Sequence, residues 1–120
     1  MLSRWQPILA VVIMVCMATS LEAANLAGSY TCQGVNPNGP SYSGTVKIIP
    51  SGDAYLLNWT IQGTTHTGVG IVTGNYLSSS WSSGGPGGIV VYRIESDGRL
   101  VGTWANPSGG ALGTETLTPQ

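Results

Sequence analysis

The chain has 120 residues, of which only 8% are charged, and a formal net charge of −1. That length suits one domain with one modest core, and so slight a charge leaves no field for steering nucleic acid or an anionic membrane surface. Glycine is abundant at 18 residues and Phe is absent, and no stretch repeats apolar residues at helical spacing, so strands and turns are expected throughout.

Met1 to Ala24 has the layout of a secretory signal peptide: Arg4 supplies a positive start, Ile8 to Ala18 is uncharged, and Thr19 to Ala24 ends in small residues. The uncharged run falls short of the roughly 20 apolar residues a spanning helix needs. The expected organisation is therefore a removable leader over 1–24 and a single domain over 25–120, exported to a bacterial periplasm or secreted. Cys32 is then the one remaining cysteine, so no internal disulfide can form and a buried thiol is expected.

Eight strands follow in chain order: Ala27 to Gly34, Tyr42 to Ile49, Ala54 to Gln62, Thr64 to Val72, Tyr76 to Ser82, Gly88 to Glu95, Leu100 to Ala105 and Ala111 to Thr118. The connections are short, which makes sequential neighbours antiparallel. Asn36-Pro37-Asn38-Gly39 and Asn106-Pro107-Ser108-Gly109 are near copies. Each sets Pro where a type I turn fixes φ and Gly where a positive φ follows. Ser51-Gly52-Asp53, Thr73-Gly74-Asn75 and Ser96-Asp97-Gly98 are tight hairpin signals, and Gly84-Gly85-Pro86-Gly87 marks the most flexible connection.

A large apolar residue precedes tryptophan by four positions three times: Tyr55 with Trp59, Leu77 with Trp81, and Leu100 with Trp104. Residues i and i+4 of a strand share a face. Parity also places Tyr42, Gly44, Val46 and Ile48 together, and Val90, Tyr92 and Ile94 together. An open sheet would leave this apolar face wet and two edges unpaired, so closure is expected. The predicted fold is all-β: an eight-stranded antiparallel up-and-down barrel whose glycines at 44, 102 and 113 leave room for indoles.

Tyr55, Trp59, Trp81, Tyr92, Trp104 and Glu115 are the candidate ligand-binding residues of the barrel interior. The same aromatic bulk could instead fill the barrel and leave no cavity. Glu115 has two readings. In one register it shares the core face with Gly113 and Leu117, where a carboxylate needs hydrogen bonds, protonation or water; in the other it is exposed and Leu112 is buried. His66 alternates with Gly68, Gly70 and Val72, so if Val69 and Ile71 point inward it is expected to face solvent. With no second histidine and no cysteine pair, no metal site or cofactor is expected. No G-x-S-x-G elbow, phosphate-binding loop or carboxylate pair marks a catalytic centre, and the protein is expected not to be an enzyme.

Tyr42-Ser43-Gly44-Thr45-Val46, Tyr55 with Trp59, Gly68-Val69-Gly70-Ile71, Asp97-Gly98-x-Leu100-x-Gly102-x-Trp104 and Gly113-Thr114-Glu115 together resemble a group of small exported bacterial proteins often labelled fibronectin-binding. These motifs are mostly turn and core positions, and the resemblance implies a fold and an exported binding role without an active site. The outline of eight strands with inward Trp is also similar, more distantly, to the avidin and streptavidin barrels. The expected function is a small exported barrel that binds a small ligand in its mouth, or an extracellular protein such as fibronectin. The alternative is a structural envelope-surface protein with a solid core.

Overall fold

The computed structural model describes residues 25–120; the leader assigned to 1–24 lies outside the described residues. Eight strands, β1 (Gly28–Val35), β2 (Ser41–Ser51), β3 (Ala54–Ile61), β4 (Thr64–Thr73), β5 (Tyr76–Trp81), β6 (Gly88–Ile94), β7 (Leu100–Ala105) and β8 (Gly113–Pro119), follow one another around a closed barrel. Every pairing is antiparallel, and β1 against β8 closes the cylinder with Cys32 opposite Leu117 and Gly34 opposite Glu115. Closure gives the N–H and C=O rows of both would-be edges a partner.

Turn chemistry sets the registers. Gly39 and Gly109 each donate to the carbonyl three residues back, Asn36 and Asn106, and both have positive φ, so the two Asn-Pro copies form the same turn. Gln62 (φ 51°) and Gly63 (φ 79°) are both left-handed, the signature of a type I′ hairpin joining β3 and β4.

Inside, Leu57, Leu77, Leu100 and Leu117 are fully buried with Val46, Ile48 and Val90. Each buried aliphatic side chain contributes about 2 kcal/mol. Leu26 is buried just ahead of β1, where the Tyr30 hydroxyl donates to its carbonyl at 2.7 Å. The end of the barrel where β1 begins is thereby packed shut. At the other end gather the turns joining β1 to β2, β3 to β4, β5 to β6 and β7 to β8.

β4 reverses an expectation. Val69 and Ile71 are 54% and 56% exposed, and the opposite set, His66, Gly68, Gly70 and Val72, faces the interior. The reason is space. A Cβ on Gly68 would lie 1.9 Å from the Ser80 carbonyl oxygen, and one on Gly70 would lie 2.9 Å from Leu77 Cδ1. The crowded side of this strand admits glycine, so the β-branched residues take the outside.

The glycines expected to accommodate indoles divide differently. A Cβ at Gly113 would strike the Trp104 ring, whereas at Gly102 it would strike the Tyr92 ring and at Gly44 the Thr60 carbonyl. Gly88 serves Trp81, whose indole passes over it to donate from Nε1 to the Ala105 carbonyl at 3.2 Å.

Candidate functional site: a carboxylate-floored aromatic pocket

Glu115 faces inward on β8, flanked on the same face by Gly113 and Leu117, while Leu112 is exposed ahead of the strand. The core-side register is therefore the one adopted. At 6% exposure the carboxylate needs partners, and three come from other strands. The Tyr42 hydroxyl donates to Oε1 at 2.8 Å, the Trp59 indole N–H to Oε2 at 3.1 Å, and the Tyr92 hydroxyl also to Oε2. Trp59 Nε1 is shared with the Tyr92 oxygen at 3.1 Å, which closes a triangle of donors and acceptor.

Geometry explains the convergence: Val46 and Trp59 are cross-strand partners, as are Gly102 and Glu115, and Tyr92 and Gly102. Gly102, having no side chain, lets the Tyr92 ring pass between β6 and β8. The network holds its phenols protonated. Burial, and then the Glu115 charge, push the Tyr92 and Tyr42 hydroxyls well above their ordinary 10.0; on Tyr42 the nearby Trp104 N–H pulls weakly the other way. The buried Cys32 thiol is raised from 9.0 by the same two causes in the same order.

Above this floor lies a cavity of about 290 Å³. Its walls are Tyr42, Trp59, Ile61, His66, Trp81, Val90 and Trp104, and its rim carries Asn36, Gln62 and Asn106 from three of the gathered turns. The rings stand nearly perpendicular to one another: Trp81 against Trp104 at 5.8 Å and 89°, His66 against Trp81 at 6.1 Å and 78°, Tyr42 against Trp104 at 6.4 Å and 68°. Such edge-to-face contacts fix each ring by its neighbour. A more open groove of about 590 Å³, lined among others by Gln33, Ser41, Ser43 and Thr116, runs out over β1, β2 and β8 and shares Tyr42, Gln62 and Glu115 with the cavity.

Among the described residues, two buried side-chain polar atoms make no hydrogen bond of good geometry, His66 Nδ1 and Trp104 Nε1, the latter only lying near the Tyr42 hydroxyl, and both belong to cavity-lining residues. Unsatisfied polar atoms are rare in protein interiors, and a pair in one cavity wall leaves bonding capacity for an occupant. Among the described residues no cluster of three or more His, Cys, Asp or Glu could hold a metal ion.

Of the six interior residues singled out from sequence, Trp59, Trp81, Trp104 and Glu115 line the cavity. Tyr92 lies beneath it with no exposure, bonded to Glu115. Tyr55 stands at the opposite, closed end, near enough to Tyr30 to raise that phenol's pKa after burial has done so. Tyr42 was legible only as a core-face residue, and His66 appears in the wall rather than in solvent. The signal that could have placed His66 is its alternation with Gly68 and Gly70, residues that a crowded interior face demands.

The fold is thus that of a small closed β-barrel with a cavity at one end. It is similar to a solved structure titled REP1-NXSQ fatty acid transporter, at 13% identity and a TM-score of 0.53, over 82% of this chain and 98% of that one. No protein-family model and no curated protein matches the chain.

Proposed function

We propose that this protein is a non-enzymatic binding protein that takes one small, largely apolar ligand into the barrel mouth. The observation that carries this reading is the cavity itself: about 290 Å³, near the low end for ligand sites, walled by four large aromatic residues and holding two unpartnered polar atoms. Its volume corresponds to about ten water molecules, hence a compact ligand of about ten heavy atoms. The likeness to a barrel titled a fatty acid transporter supports an apolar ligand body. Export to the periplasm or beyond, as the leader over 1–24 suggests, would make this an extracytoplasmic binder.

Native mass spectrometry of the protein taken directly from its source tests the reading. A small molecule that leaves on denaturation, and is lost from a Trp81→Ala/Trp104→Ala double variant, is the expected result. Protein at the mass of the polypeptide alone, with no thermal shift from any neutral, cationic or anionic compound of this size, would overturn it.

The exterior favours a second reading. Leu56, Val69, Ile71, Ile89 and Val91 are exposed on the outer faces of β3 to β6, with Leu56 directly across from Val69. Ser78 and Ser80 of β5 stand between the β4 and β6 members of this set, and an exterior that is apolar with interspersed hydroxyls suits contact with a protein; an extracellular-matrix protein such as fibronectin is the partner that the sequence resemblance implies. A Val69→Lys/Ile71→Lys variant should then lose adhesion to immobilised fibronectin; equal adhesion, or none by the unaltered protein, rejects that partner.

A further inference from the structure

Resting on the pocket reading above, we propose that the mouth cavity selects an organic cation: a compact protonated amine whose apolar body lies among Trp59, Trp81 and Trp104 and whose ammonium group bonds to Glu115.

Charge placement is the first support. Among the described residues, Glu115 is the one charged residue lining the cavity or the groove. The described cations are all elsewhere: Lys47 is exposed on the outer face of β2, and Arg93 and Arg99 pair at 2.7 Å with Glu95 and Asp97 around the turn joining β6 to β7. That turn belongs to the closed end. No described residue of the mouth carries a positive charge that could neutralise the carboxylate of an anionic ligand, and the buried Glu115 would repel it.

Hydrogen-bond capacity is the second. A carboxylate offers about four acceptor positions, and Tyr42, Trp59 and Tyr92 occupy three of them, two on Oε2 and one on Oε1. Oε1 carries the fewer of these bonds, with the Cys32 thiol also set against the carboxylate, and its partner Tyr42 lines both the cavity and the groove. Across the cavity, His66 Nδ1 is buried without a partner; with the ring proton on Nε2 it is a further acceptor. An ammonium brings three donors and no acceptor, which complements this set. With that tautomer the remaining unpartnered donor among the described residues is Trp104 Nε1; it lies beside the Tyr42 hydroxyl and is neutral, so it cannot offset the Glu115 charge on behalf of an acid.

The walls are the third. Aromatic faces carry negative potential and attract cations, most strongly for Trp and when water is excluded. Three indoles and a phenol surround the one carboxylate of the cavity lining, so an ammonium seated there has aromatic rings and an anion within reach. A fatty acid of the kind named for the similar barrel is therefore not the expected occupant of this one.

Calorimetric titration of protein refolded from urea, so that the cavity starts empty, tests the proposal with three near-isosteres: 2-phenylethylamine, 2-phenylethanol and phenylacetate. The amine should bind about tenfold or more tightly than the alcohol, and phenylacetate more weakly than both. Glu115→Gln should bring the amine down to the level of the alcohol while the alcohol is little changed. If that variant fails to fold, the three-ligand series on the unaltered protein decides alone. Alcohol binding as tightly as amine, or phenylacetate binding best, overturns the cation preference and leaves the pocket reading standing. No binding by any of the three overturns the cation proposal, and the broader thermal-shift screen then decides whether the pocket reading falls with it.

Discussion

Glu115 is a buried acid whose three partners are neutral donors rather than a salt bridge. Removing one donor leaves the others in place, so the loss is graded. Tyr92→Phe should lower stability at neutral pH by about 1.5–3 kcal/mol, the scale of one hydrogen bond to a charged acceptor. The pH dependence follows from the same atoms. Tyr42, Tyr92 and Cys32 have folded-state pKa values raised above 10.0, 10.0 and 9.0, so the folded chain holds these protons more tightly than the unfolded one. Their contribution is complete below about pH 9 and is lost as pH rises from there through the folded values. Urea unfolding across pH should show a falling alkaline limb that is shallower in Tyr92→Phe; an identical limb in the variant would show that this phenol does not carry it. His66 shows how far residue-level inference reaches: with no partner visible in the sequence, a single histidine on a strand of threonines and glycines looks solvated, and only the neighbouring rings of Trp81 and Trp59 give it a wall to belong to.

At the level of elements, alternation made most strands legible, because one face of a barrel strand is dry and the other wet. β3 and β6 follow the rule: Leu57, Trp59, Val90 and Tyr92 are buried, and Leu56 and Ile89 are exposed. β4 departs from it, since hydrophobicity alone puts Val69 and Ile71 inside while close approach of β5 puts glycine there. The two kinds of inward glycine predict different failures. At Gly68 the obstacle to a Cβ is backbone, 1.9 Å away, so Gly68→Ala should cost about 3 kcal/mol or more by forcing β4 from β5. At Gly113 the obstacle is the Trp104 ring, half-buried at the cavity wall. Gly113→Ala should therefore displace that indole, shifting its fluorescence and weakening ligand binding more than it lowers the urea midpoint. A midpoint lowered as far as in Gly68→Ala would contradict the distinction.

For the whole molecule, the meander keeps every pairing local except the one between β1 and β8, which joins the two ends of the described chain. The Gln120 amide donates to the Ser29 carbonyl at 3.0 Å. Because these ends lie side by side at the closed end, a short linker can join them without crossing the mouth. A permuted chain linked there and opened between Gly84 and Gly85 should retain the barrel, shown by near-ultraviolet circular dichroism and a urea midpoint close to that of the unpermuted 25–120 domain. Loss of the near-ultraviolet signal would mean that the turn between β5 and β6 does more than connect. The interior is graded along the axis: aliphatic packing at the closed end, then the Glu115 network, then the open aromatic cavity. Strand closure alone would permit a solid core or a hollow one, and it is the perpendicular seating of the rings that leaves space between them.

The amino-acid sequence by itself determined the strand count, the antiparallel order, the turns and most of the inward face, because these follow from local φ preferences and a period of two. It also singled out Trp59, Trp81, Trp104 and Glu115. The tertiary structure alone decided that Glu115 faces in, that β4 presents glycine and His66 to the interior, and that Tyr55 lies at the end away from the cavity. Each of these depends on how closely one strand approaches another, a distance between residues far apart in the chain that no local pattern encodes.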